Sequence, residues 1–208
     1  MYYGAYKDIR NSAWKCLIDF NIGSLPVDIL KITRFAKIRV IRNSSVNELM
    51  PGENGKSYFD GSKWIIIYND ENPTSVSRFT IAHELGHIFL GHELKRVKYL
   101  NANEFRSKPR AEQEADMFAE RLLCPACVLW ELNLYSPEDI ADICRVPQSV
   151  ANVRASRMQE LYKRNKFLSS PLEKELYINF FEYLSGQKGD GYTNVDNNVS
   201  MKGGAAPL

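Results

Sequence analysis

Histidine is nearly absent from this 208-residue chain. There are three, His83, His87 and His92, all inside the stretch "RFTIAHELGHIFLGHE". Long uncharged apolar runs are missing too. The longest, such as "WIIIY", have the length of a strand and fall far short of the roughly 20 residues a membrane span needs. The opening "MYYGAYKDIRNSAWK" has no apolar segment behind a basic head, so it does not read as a signal peptide, and the expected location is the cytoplasm. Charge of one sign is not in excess. The 27 basic and 25 acidic residues leave +2, which makes no overall electrostatic case for nucleic acid or an anionic membrane. Cysteine is sparse (Cys16, Cys124, Cys127, Cys144), and a chain of this size without a secretory signal needs no staples, so reduced thiols are expected.

What is present can build a core: 44% hydrophobic and 25% charged residues suit a soluble domain. Residues 5–20 carry Ile9, Ala13, Cys16, Leu17 and Phe20 at helical spacing. "SLPVDILKITRFAK" predicts a second helix, with Ser24 as cap and Pro26 in its first turn. "IRVIR" alternates like a half-buried strand. "KSYFDGSKWIIIYN" predicts a hairpin turning at Asp60-Gly61. Helices follow over about 75–90 and 110–123, with the polar connector "KRVKYLNANEFRSK" between them. Beyond Pro125, "ACVLWELNL" reads as a short helix and "SPEDIADIC" as another capped by Ser136. Pro147 opens a long helix to about Phe167, and "PLEKELYINFFEYL" is a further amphipathic piece. The division expected is 1–132, 133–185 with a helix-turn-helix character, and a Gly/Asn-rich disordered tail over 186–208.

His83-Glu84-Leu85-Gly86-His87 is an H-E-x-x-H motif inside a predicted helix. Residues four apart share a helical face, so the two imidazoles can grip one metal ion while Glu84 reaches a water beside it. Hydrolysis at zinc needs three protein ligands and an open position for water. Such an ion acidifies the water and polarises the scissile carbonyl, and a neighbouring carboxylate relays the proton. Five residues can match by chance. Here, however, uncharged neighbours (Thr80, Ile81, Ala82, Ile88, Phe89) mark a buried helix, where unpaired imidazoles and a carboxylate would each cost about 1–3 kcal/mol.

The third ligand is not legible within the motif. The extended pattern H-E-x-x-H-x-x-G-x-x-H puts glycine and histidine at positions that hold Leu90 and Glu93 here, so His92 is expected as a surface residue just past the helix end. With no further histidine, a carboxylate or a thiolate must serve. "PRAEQEADMFAERLLCP" places Glu112 and Asp116 on one face with the small residues Ala115 and Ala119, which would let this helix press on the first. Glu112 is favoured as the ligand, with Asp116 accepting a hydrogen bond from a ligand imidazole. Glu114 points about 200° away and is the less favoured alternative.

These residues carry a resemblance. "RFTIAHELGHIFLGH" followed by "EQEADMFAERLLCP" is similar to the ImmA/IrrE family of metallopeptidases, and so are the Leu-Pro lead-in "LPVDILKITRFAKIRVI" and the hairpin "GKSYFDGSKWIIIYND". The likeness covers roughly residues 20–165. It implies an α+β zincin-like fold with a small antiparallel sheet of about three strands packed on helices. It also implies a Zn2+ endopeptidase that cleaves an Xre-type helix-turn-helix repressor and so relieves repression of phage, mobile-element or stress genes. His83, His87 and Glu112 would be metal ligands, Glu84 the general base, and Asp116 falls where the family has Asn or Asp. The "CPAC" at 124–127 departs from the family pattern.

In a zincin-like cleft the strand "KWIIIYN" is expected to offer an edge to an extended substrate. Cys124-x-x-Cys127 lacks the context of a redox or zinc site and is expected to be core thiols. Residues 136–166 read as helix, turn, helix with Arg154, Arg157, Lys163, Arg164 and Lys166, so a DNA-binding regulator is the alternative function. A non-catalytic partner that keeps the motif is the other. Tyr99, Tyr135 and Arg110 are candidates for oxyanion stabilisation.

Overall fold

The computed structural model describes residues 3–92 and 109–187. The chain opens with α1 (Tyr3–Asp19), which buries Ile9, Ala13, Cys16 and Leu17 as the spacing requires. Helix α2 (Ile29–Phe35) starts later than Ser24 and Pro26 suggested. Its cap is Asp28, whose Oδ1 accepts the Lys31 N–H at 2.9 Å, a carboxylate being a strong acceptor for an orphan first-turn donor.

Three strands follow: β1 (Arg39–Arg42), β2 (Gly55–Phe59) and β3 (Trp64–Tyr68). The expected hairpin is there. β2 and β3 pair antiparallel with Ser57 opposite Ile66, and Asp60 Oδ1 accepts the Ser62 and Lys63 N–H groups across a turn in which Gly61 takes φ +97°. The sheet is nevertheless mixed where an antiparallel one was expected. Its order is β1-β3-β2, and β1 runs parallel to β3 with Val40 opposite Ile66. Ile65, Ile66 and Ile67 are all buried, so β3 is covered on both faces and takes the centre, as a continuous apolar run favours. The edge position expected of β3 therefore falls to β2.

Helix α3 (Thr74–Phe89) lies against β2 and β3, and α4 (Arg110–Leu123) lies against α3. The two helices approach closely because the facing residues are small. A Cβ on Gly86 would sit 3.1 Å from Ala115 Cα, and Ala82, Ala115 and Ala119 are fully buried. Short α5 (Ala126–Glu131) follows, then α6 (Pro137–Cys144), where Ser136 Oγ accepts the Asp139 N–H at 3.1 Å. α7 spans Gln148–Lys163, and the last amphipathic piece divides at buried Phe180 into α8 (Pro171–Asn179) and α9 (Phe181–Gly186). The fold is α+β, and one hydrophobic cluster runs from Ile9 to Leu184, with α1 packed on both α4 and α8. No described helix is long and apolar enough to cross a membrane. The connector at 95–108 and all but the first two residues of the expected tail lie outside the described residues.

Candidate metal centre

One turn of α3 separates His83 from His87, and their Nε2 atoms point at each other 3.0 Å apart. α4 brings the Glu112 carboxylate to the same spot: Oε2 is 3.3 Å from His83 Nε2, and Oε1 is 3.3 Å from His87 Nε2. Tetrahedral coordination at about 2.0–2.1 Å sets neighbouring ligand atoms about 3.3 Å apart. The three groups thus fit the faces of a metal site, and two imidazoles with one carboxylate are a donor set suited to zinc. Glu112, not Glu114, is the carboxylate that reaches the pair.

Asp116 also stands where expected, its Oδ1 2.8 Å from His83 Nδ1. His83 therefore has a carboxylate at each ring nitrogen. Burial pulls its pKa down, but the hydrogen bonds to Asp116 and Glu112 outweigh that and raise it to about 9. The same bonds hold Glu112 well below the usual carboxylate range.

Glu84 is 7% exposed on the sheet side of α3. Burial pushes its pKa up, against the pull of a 2.6 Å hydrogen bond that Ser57 Oγ donates to Oε2. Ser57 is a partner that sequence reasoning missed. Its only signal is a hydroxyl in the middle of an otherwise apolar, aromatic hairpin. Gly55, two residues earlier on the same strand face, lets β2 lie close: a Cβ there would meet Thr80 Cγ2 and come within 3.8 Å of Glu84 Cγ.

His92 corrects the expectation of a surface residue. It lies just past the helix end as foreseen, but its side chain is only 11% exposed. Its Nδ1 is 3.0 Å from His87 Nδ1 and its Nε2 is 3.1 Å from Glu114 Oε2, while Arg110 Nε donates to Glu114 Oε1 at 2.6 Å. Glu114, passed over as a ligand, is thus tied to the site through His92.

The remaining candidates are engaged elsewhere or outside the described residues. All four cysteines are free and buried, and burial drives the Cys16 thiol up to about 12. Tyr135 packs edge-on against Tyr162, Arg110 holds Glu114, and Tyr99 lies outside the described residues. α6 and α7 do form a helix pair joined through left-handed Arg145. One residue of its expected basic face is buried, while Arg157, Lys163, Arg164 and Lys166 stay exposed. Arg154 is 3% exposed and paired to Glu120 at 3.2 Å, Arg157 lies over the Tyr6 ring, and Lys163 and Arg164 flank Glu160.

A small sheet lying on a helix that carries H-E-x-x-H, with a carboxylate supplied by the next helix, is the framework of a zincin-like metallopeptidase. The chain belongs to the family described as the IrrE N-terminal-like domain, which matches residues 36–156, from the approach to β1 through half of α7. It is also 27% identical over 143 residues to the metallopeptidase ImmA of Bacillus subtilis (strain 168), a match covering 66% of this chain and 80% of that protein. Membership of a metallopeptidase family implies a metal cofactor, and the His83–His87–Glu112 group is able to hold one.

Proposed function

We propose that this protein is a zinc-dependent endopeptidase whose substrate is a helix-turn-helix repressor of the Xre type. The observation that carries the reading is the convergence of His83 Nε2, His87 Nε2 and the Glu112 carboxylate beside buried Glu84. A zinc ion held by those three residues would supply Lewis-acid polarisation of the scissile carbonyl and lower the pKa of a water. Glu84 then accepts a proton from the attacking water and delivers it to the leaving amine, and its burial-raised pKa suits both halves of that task. Ser57 holds the carboxylate in place through its hydroxyl.

The substrate's extended backbone pairs with the outer edge of β2, the strand that carries Ser57, by adding a strand to the sheet. Half-exposed Phe59, on the same strand face, leans on Trp64 and offers an apolar surface to a neighbouring substrate side chain. A repressor as substrate accords with the family resemblance, and its cleavage in the cytoplasm would release phage, mobile-element or stress genes.

The test is metal analysis joined to incubation with an Xre-type helix-turn-helix repressor. Wild type should hold about one zinc and cut the repressor, and a chelator should stop it. Glu84→Gln should keep the zinc and lose cleavage by several orders of magnitude, since general-base catalysis alone contributes about 10²–10⁴-fold. Undiminished cleavage by that variant would remove Glu84 from its assigned role.

A further inference from the structure

The end of α3 is a Schellman motif. Leu90 closes the helix, Gly91 takes φ +67°, the Gly91 N–H bonds to Ile88 O at 3.2 Å, and the His92 N–H bonds to His87 O at 3.0 Å. This motif brings the side chain two residues past the cap against the one three residues before it, usually as an apolar contact. Here the two side chains are His92 and His87, with ring centroids 5.1 Å apart.

We infer that His92, Glu114 and Arg110 form a relay that orients His87 toward the metal position, with His92 as its positioning residue. The inference rests on the metal site proposed above. The hydrogen placement follows from which atoms face each other. His87 Nε2 lies beside His83 Nε2 and the Glu112 carboxylate, at the metal position, so when a metal takes Nε2 the ring hydrogen is on Nδ1 and is donated to His92 Nδ1. His92 Nε2 then carries its own hydrogen and donates it to Glu114 Oε2, and the Arg110 guanidinium fixes Glu114 from the other side. His87 thereby receives through His92 what His83 receives directly from Asp116: a fixed ring orientation and an acceptor for its Nδ1 hydrogen, which leaves Nε2 for the metal. His92 bridges His87 and Glu114, with one ring nitrogen on each.

Two substitutions separate positioning from packing. His92→Leu keeps the apolar contact that this motif normally uses but cannot accept a hydrogen bond. His92→Asn places an amide oxygen near the position of Nδ1. Zinc affinity is read by competition with a chromophoric chelator, folding of the metal-free variants by urea, and the His87 tautomer by long-range proton–nitrogen NMR. His92→Leu should fold like wild type and bind zinc about 10–100-fold more weakly, the usual cost of removing a partner behind a metal-bound histidine. His92→Asn should recover most of that loss, and His87 in zinc-loaded wild type should carry its hydrogen at Nδ1. Zinc binding by His92→Leu equal to wild type, or His92→Asn no better than His92→Leu, overturns the relay. So does finding, in the zinc-loaded protein, that the His87 Nδ1 carries no hydrogen. If His92→Leu does not fold, the His92→Asn affinity and the wild-type tautomer decide. If wild type takes up no zinc at all, the metal site fails and takes the relay with it; if wild type binds zinc, the two variants and the zinc-loaded tautomer judge the relay alone.

Discussion

His83 sits between Glu112 at one ring nitrogen and Asp116 at the other, and that geometry makes its proton hard to remove. With a folded pKa near 9, above the usual ~6.5, the metal-free protein gains stability from protonated His83. That contribution is complete below about pH 6.5 and disappears as pH rises through 9. A metal must displace the same proton. Zinc affinity is therefore expected to climb with pH up to about 9 and then level off, with close to one proton released per zinc at neutral pH. Calorimetry in buffers of different ionisation heat counts that proton directly. A count near zero at pH 7 would mean His83 is already neutral there. At the same scale, Glu84 and Ser57 show how one hydroxyl on a strand disciplines a buried carboxylate across to a helix.

Between elements, the decisive contact is α3 on α4. Gly86, within the H-E-x-x-H motif, has no chemistry of its own, yet an added Cβ would lie 3.1 Å from both Cα and O of Ala115 and 3.2 Å from Phe118 Cβ. Two of those three are backbone atoms and cannot turn aside. Gly86→Ala is expected to gain a little helix propensity and lose more through overpacking, a net destabilisation of about 1–3 kcal/mol in urea unfolding. Because α4 carries Glu112, the displacement should also weaken zinc binding. A variant as stable as wild type with unchanged affinity would show that the helix pair can give way without moving the site. The same close approach explains why Ala82, Ala115 and Ala119 line the interface, since each larger side chain would hold Glu112 further from the histidines.

At the scale of the whole molecule, α4 is the joint. Its first turns face the metal centre, and its last turns hold Glu120 and Arg121 within the core. Glu120 is 6% exposed, lying 3.2 Å from Arg154 of α7 and 3.5 Å from Arg121, which in turn lies over Tyr6 of α1. α4 and α7 thus meet on one buried carboxylate, and α1 joins them through Arg121. Glu120→Gln leaves two buried guanidinium groups without their anion, and breaking such a pair from one side costs about 3–5 kcal/mol. Chemical denaturation should show a loss of that size. A cost under 1 kcal/mol would indicate that water or backbone carbonyls already satisfy the two arginines. The same burial weakens the DNA-binding alternative, since a guanidinium held by Glu120 inside the core is not presented to a phosphate.

Local pattern was enough for most of the elements and for three of the site residues. The four-residue step from His83 to His87 and the carboxylate of Glu84 are properties of one helix, and the hairpin follows from Asp60-Gly61 between strand-forming runs. The face shared by Glu112 and Asp116 is likewise local, so the sequence could name the ligand pair's partner helix from its small residues. What sequence could not rank was anything set by which elements become neighbours. The parallel pairing of β1 with β3, and with it the choice of β2 as the free edge, depends on burying Ile65–Ile67 from both sides. Ser57 reaches Glu84 across 27 positions of chain, and Glu114 reaches His92 across 22. His92 is the instructive case. Gly91 and His92 spell the Schellman ending in the sequence, but only the packing of α4 against α3 puts an acid within reach of that imidazole and turns a helix terminus into part of the site.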